Sequence, residues 1–351
     1  MRKYKYYKDY RYKGQRIQAY GNTREELKCS MERKERIIDE GKTSETDALR
    51  FQEYSQYCLR TYKQNASAYT IKTTRSIMNR INDYIGGIYI QNISVQNCQH
   101  ILNDMRGMSS SYITKTEQAI RFVFRCACRE GIITSNPASD LVIPQGTRNH
   151  HRPLTPEERE AVINLASRPR YIGKSAMLDR RFYAFLLMLL CGCRPQEAAE
   201  CKGSDIVTIK GSHLLHIRGT KTRLSDRFVP IPKDLYTLIK KVPQNEYLAP
   251  MQSGAKQVKD KLRRTWKNFL YYLNIEMGAV TYRNAIIETV VADDLTPYCF
   301  RHEYCTECAR RGVDIRTAQK LMGHASIRMT ADIYTALGID DLIDSARAMF
   351  N

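Results

Sequence analysis

Several basic residues in this chain stand where a side chain could act on an anion. Arg194 follows an apolar run in LLCGCRPQEAAE, and Pro195 opens the next helix. Its guanidinium therefore lies beside the free N–H groups of a helix N-terminus, an arrangement suited to phosphate. Glu197, one turn on, could orient that guanidinium. Lys221 falls between two strand-like runs in RGTKTRLSDRFVPIP. A flexible lysine at such a tip can reach a bound backbone and deliver a proton. In LTPYCFRHEYCTECARRG, Thr296-Pro297 announces a helix start. Tyr298 then sits in the first turn, with Arg301 one turn further on the same face. Asp314 caps a following helix, Gly323 stops it, and His324 comes just past the stop. Ser326 opens a short helix that leads to Tyr334. Taken singly, each feature has a plainer reading: a loop arginine exposed to solvent, or a hairpin lysine that aids solubility.

Cys299, His302, Cys305 and Cys308 recur every third residue and raise the question of a metal. Helical phase argues against it. At 100° per residue, steps of three drift by about 60° each, so the ends diverge by about 180° and miss one tetrahedral ion. Cys305 and Cys308 read instead as helix-packing residues. Walker, GxSxG, HExxH and dinucleotide-binding patterns are all missing from the sequence.

These residues must be held by a sizeable scaffold. The chain has 351 residues, enough for two or three domains. Its 56 Lys and Arg against 37 Asp and Glu give a net charge of +19, the signature of a partner that is a polyanion. No apolar run is long enough to span a bilayer, and the basic N-terminus lacks a secretory core. The expected location is the cytoplasm, with the cysteines reduced.

Three parts follow along the chain. Residues 1–44 read as a small basic α+β domain: strand, turn at Lys13-Gly14, strand, then a helix capped by Thr23 with Glu26. A tyrosine-rich basic sheet can lie in a DNA groove; a solvated basic tail is the alternative. Residues 45–147 read as an all-α domain with four amphipathic segments and an extended connector from Ser135 onward. Residues 148–351 read as mainly α, with Thr155 and Pro156 starting the first helix. Helices are expected over 156–167 and 178–191, strands within 205–232, and helices again from about 257. FYAFLLMLLC is apolar all round and is expected to be buried.

The order Arg194, Lys221, Arg301, His324, Tyr334 resembles the tyrosine recombinase (phage integrase) family. Glu197 matches that family's supporting acidic residue. CACREGIITSNPASDL resembles the family's junction between core-binding and catalytic domains, and the N-terminus resembles the arm-site-binding domain of phage and conjugative-element integrases. One position departs from the pattern: Tyr298 stands where the family usually has histidine. Its hydroxyl can still donate to phosphate.

The resemblance implies a site-specific recombinase. Arg194, Arg301, His324 and Tyr298 would stabilise charge on the phosphate. Tyr334 would attack and form a 3′-phosphotyrosyl bond, and Lys221 would protonate the 5′-oxygen. Neither metal nor nucleotide cofactor is implied. The implied partners are core and arm DNA, three further copies of the chain in a tetramer, and an excision factor; the implied place is a bacterial nucleoid. DNA-facing cations are expected at Lys3, Lys5, Arg11, Lys13 and Arg16, at Lys72, Arg75 and Lys115, and at Arg148. Apolar Ile339, Leu342, Ile343, Ala346 and Met349 suggest a tail helix, packed on its own domain or docked on a neighbouring protomer. The rival readings are a type IB topoisomerase-like enzyme and a non-catalytic DNA-binding regulator.

Overall fold

The structure, a computed structural model, describes residues 5–21, 23–39, 49–147, 151–172, 175–219 and 223–335. Lys3, Lys221, Arg148 and the apolar tail residues therefore lie outside the described residues. The chain divides into two compact units, 1–149 and 150–351.

The first unit opens with an antiparallel hairpin, β1 (Tyr6–Tyr12) and β2 (Gln15–Gly21), followed by α1 (Arg24–Asp39). Strand alternation sorts its side chains: Ile17 and Ala19 are buried, while the Tyr7 and Tyr20 rings meet on the exposed face with centroids 5.2 Å apart and planes tilted by 36°. Tyr12 donates to Asp39 of α1 at 3.1 Å, and Lys34 donates to the Gln18 carbonyl at 2.7 Å.

Residues 49–147 form a helical module of α2 (Phe51–Tyr62), α3 (Ala68–Ile85), α4 (Val95–Asn103) and α5 (Ser110–Arg129). Serine starts three of these helices. The Ser67 hydroxyl accepts from Thr70 N–H, Ser94 from Asn97 N–H, and Ser109 from Tyr112 N–H. The apolar faces meet in a core that includes Phe51, Tyr54, Ile81, Ile120 and Phe124. Each of these side chains is essentially inaccessible to water.

The second unit begins with α6 (Pro156–Ser167), the short hairpin β3 (Arg170–Ile172) and β4 (Ser175–Met177), then α7 (Tyr183–Cys191) and α8 (Pro195–Glu200). A three-stranded antiparallel sheet follows: β5 (Ile206–Ile209), β6 (Ser212–Ile217) and β7 (Arg227–Pro230). Then come α9 (Lys233–Ile239), α10 (Lys259–Glu276), the hairpin β8 (Val280–Tyr282) and β9 (Ala285–Glu288), α11 (Pro297–Arg310), α12 (Ile315–Met322) and α13 (Arg328–Tyr334). The uniformly apolar α7 runs through the middle of the core, as its composition requires. Phe185 of α7 meets Phe269 of α10 at 4.5 Å and Trp266 at 5.3 Å, and Phe300 of α11 closes the cluster.

Two expectations need correction. The helix expected from 178 starts at Tyr183, because the Asp179 carboxylate accepts from Arg181 N–H and holds a 3₁₀ turn at Arg180–Phe182. The region after 257 is not wholly helical either. Arg283 and Asn284 take positive φ, 48° and 64°, and turn the chain into the β8–β9 hairpin. Thr155 caps α6 as expected: its hydroxyl accepts from Glu158 N–H at 3.2 Å, and Glu158 accepts in return from Thr155 N–H.

Candidate active site

The site is built where three helix ends of the second unit meet. The chain leaves α7 at Gly192, whose φ is +62°. A Cβ there would lie 2.5 Å from the Tyr304 ring, so only glycine fits the turn. Two residues later Arg194 forms the N-cap of α8. Its Nη1 donates to Glu197 at 2.7 Å, and Glu197 accepts the Arg194 backbone N–H at 2.8 Å. The carboxylate thus grips Arg194 at both ends.

The C-terminal end of α12 supplies the other half of the frame. Three successive carbonyls there each accept from a different arginine. Leu321 accepts from Arg227 at 2.6 Å, Met322 from Arg301, and Gly323 from Arg194 at 2.8 Å. These carbonyls have no partner within the helix and form the negative end of its dipole. Cations are therefore favoured there. Arg301 donates its other Nη to the Gly192 carbonyl, so it spans both helix ends.

Burial and like charge shape the titration of the group. Arg301 is 5% exposed. Its pKa is down to about 10, first through burial and then through Arg194 and Arg227. For Glu197, burial alone would raise the pKa, but the ion pairs to Arg227 and Arg194 outweigh it and hold the carboxyl at about 2. His324, just past the Gly323 stop, is buried and falls to about 4, through burial and then through Arg301, Arg194 and Arg227. It is a neutral imidazole at physiological pH. Its Nδ1 lies 3.0 Å from the buried Thr330 hydroxyl. If Thr330 donates there, the Nε2–H of the ring is the proton left to donate.

Arg194, Glu197, Arg301 and His324 are thus gathered into one cluster with three guanidiniums to one carboxylate. Tyr334 of α13 is placed differently. It is half-buried, its hydroxyl donates to the Val313 carbonyl at 2.9 Å, and burial pushes its pKa up. Tyr298 is exposed and stacks on His151 at 5.3 Å with ring planes 18° apart. His151 Nδ1 lies 3.2 Å from the Thr296 hydroxyl. The neighbouring Arg152 bonds both Asp294, just before α11, and Glu158 of α6. His302 bonds within its own helix, to Thr306, and burial lowers its pKa.

Two residues of this region were not legible beforehand. Arg227 looks like one more strand arginine in SDRFVPIP, yet it is 7% exposed and bonds Glu197 through both Nη atoms. Its only sequence signal is an arginine among alternating apolar residues. His151 comes from a polar connector and carries no periodic signal at all. Among the cations expected at DNA, Lys5, Arg11, Lys72, Arg75 and Lys115 are exposed. Lys13 and Arg16 are already paired, with Asp39 at 2.7 Å and with Asp9. Cys299, Cys305 and Cys308 are buried free thiols. Among the described residues no helix is long and apolar enough to cross a membrane.

The fold and the site define a class: a mainly helical unit in which three arginines gather around one buried carboxylate. The sequence profile of the phage integrase family matches residues 152–339, and that of the phage integrase N-terminal SAM-like domain matches residues 50–106. The chain belongs to the phage integrase family of tyrosine recombinases. It is 30% identical over 243 residues to tyrosine recombinase XerA of Thermococcus kodakarensis, covering 67% of this chain and 74% of that protein. Its fold is similar to that of the Tn1549 transposon integrase in complex with transposon right end DNA, with TM-score 0.67 and 17% identity over 86% of this chain and all of that one. It is also similar to lambda integrase in a tetramer bound to a Holliday junction, with TM-score 0.59 and 17% identity over 91% and 93%.

Proposed function

We propose that this protein is an integrase that cuts and rejoins DNA at specific sites to move a mobile element. One observation carries the chemistry: Arg194, Arg301 and Arg227 surround a single carboxylate, with neutral His324 beside them. The excess positive charge is held in place before any ligand arrives. Arg194 keeps its side chain about one-third exposed, so a DNA phosphate can reach it. Preorganised donors of this kind stabilise charge that develops on the non-bridging oxygens, each worth about 10²–10³ in rate.

The covalent step balances without an added cofactor. The Tyr334 hydroxyl gives up its proton to solvent as its oxygen attacks phosphorus, forming the 3′-phosphotyrosyl bond while the bond to the 5′-oxygen breaks. The 5′-oxygen leaves with a proton from Lys221. The reverse attack by a 5′-hydroxyl of the partner strand restores the phosphodiester and frees the tyrosine. Before attack the Tyr334 hydroxyl must leave the Val313 carbonyl, so engagement of DNA has to reposition α13.

Residues 1–44 would bind arm DNA, while 45–147 and 148–351 would clamp the core site. Four protomers would exchange strands in pairs through a Holliday junction, with the apolar tail linking neighbours. An excision factor would bias the direction, and the protein would act at the nucleoid. Tyr298 would take the phosphate contact that histidine makes in most of the family, with its ring steadied by His151. A nicked suicide substrate carrying the core site tests the reading. Wild type should form a covalent protein–DNA adduct, and Tyr334→Phe should form none. No wild-type adduct on the proper site would sink it.

A further inference from the structure

Arg227 is an arginine almost wholly withdrawn from solvent. It leaves β7 and disappears into the frame behind the site, 7% exposed. Its Nη2 donates to Glu197 Oε2 at 2.9 Å and its Nη1 to Oε1 at 3.3 Å. Its Nε donates to the Leu321 carbonyl at 2.6 Å, Nη1 also to Ser225 at 3.0 Å, and Nη2 also to Gly192 at 3.4 Å. One planar fork thus ties α8, the turn after α7, the end of α12 and the turn just before its own strand. Lysine has a single compact ammonium and could not span these four acceptors.

We propose that Arg227 is a positioning residue for strand transfer, which sets Arg194 and Arg301 by fixing the Glu197 carboxylate and the carbonyl end of α12. This rests on the recombinase reading above. The two reactive arginines share their anchors with Arg227. Glu197 also holds Arg194, and the Gly192 carbonyl also accepts from Arg301. The three arginines take three consecutive carbonyls, those of Leu321, Met322 and the capping Gly323, so losing one loosens the seat of the other two. Gly323 belongs to the same device: a Cβ there would lie 2.9 Å from Arg227 Nη1, so the close approach needs glycine. Arg227 also keeps Glu197 ionised. Without it, burial acts on the carboxyl with less opposition.

The test measures adduct formation on the nicked suicide substrate at saturating DNA, from pH 5 to 9, for wild type, Arg227→Gln, Arg227→Lys, Glu197→Gln and the Gln–Gln double variant. DNA affinity is measured alongside. Arg227→Gln should lower the adduct rate by about 10²-fold, the scale of an ångström of misplacement, while DNA binding changes by less than about threefold. Its rate should also fall toward acid pH as Glu197 titrates, a limb that wild type lacks. Adding Arg227→Gln to Glu197→Gln should cost much less than it does alone. Arg227→Lys should fail to restore the rate, and it carries the test if the glutamine variant does not fold. A wild-type rate in either Arg227 variant overturns the proposal. So does a reduced rate with an unchanged pH profile, or full additivity with Glu197→Gln. Wild type without adduct refutes the recombinase reading and this proposal with it; wild-type adduct with an unaffected variant refutes this proposal alone.

Discussion

His324 makes acid stability a direct report on the charge of the site. Its pKa is about 4 in the folded protein, against 6.5 for an ordinary histidine. Below pH 6.5 the unfolded chain takes up a proton that the folded chain refuses until about pH 4. Acid therefore favours unfolding across that window, and the stability is whole above it. The gap caps the effect at about 3 kcal/mol, with about 2 kcal/mol lost between pH 8 and pH 5. Burial also lowers the pKa of His151 and of His302 and raises that of Glu303, and these contribute to any change with pH. A comparison with His324→Gln removes them, because glutamine keeps a partner for Thr330 without titrating. Trp266, the single tryptophan, lies in the aromatic core beside Phe185 and Phe269, so its fluorescence follows this unit alone. Urea unfolding of both proteins at pH 8 and pH 5 gives the two differences. Wild type should lose about 2 kcal/mol more than the variant. Equal losses, within about 0.5 kcal/mol, would show that His324 is not held neutral by burial and the arginines, and the account of a net-positive cluster would fall with it.

Other outcomes follow from the same geometry. Gly323→Ala forces a side chain into φ +64° and against Arg227; it should cost at least about 1 kcal/mol of stability and slow adduct formation on the suicide substrate. Tyr298→His should retain cleavage, since imidazole offers a donor at the same exposed place; complete loss would mean that the hydroxyl does something histidine cannot. Phe185→Ala removes a fully buried ring from the cluster with Phe269 and Trp266; urea unfolding should show a loss of about 3–5 kcal/mol.

Local signals carried a good part of this protein. Thr155-Pro156 and Thr296-Pro297 announce helix starts because proline fixes φ and needs no N–H partner in the first turn. Gly323 announces a stop because the left-handed cap suits glycine. Arg194, His324 and Tyr334 are therefore legible as residues at element ends and Arg301 as a residue one turn into its helix, and their order resembles the family's. Uniform apolarity marked α7 for the centre of the core. The β8–β9 hairpin escaped because the positive φ at Arg283 and Asn284 carries no Asn-Gly or Asp-Gly signature.

What the sequence determined by itself was the chemistry available and its order along the chain, since residue type sets charge, donors and caps. Only the tertiary structure decided who holds whom. It buries Arg227 against Glu197 and hands three neighbouring carbonyls to three arginines. It stacks His151 on Tyr298 and gives the Tyr334 hydroxyl to Val313. Those pairings join residues far apart in the chain, and buried charge forces those of the arginines: a guanidinium withdrawn from water must find acceptors, and the nearest ones belong to whichever helix end the fold brings there.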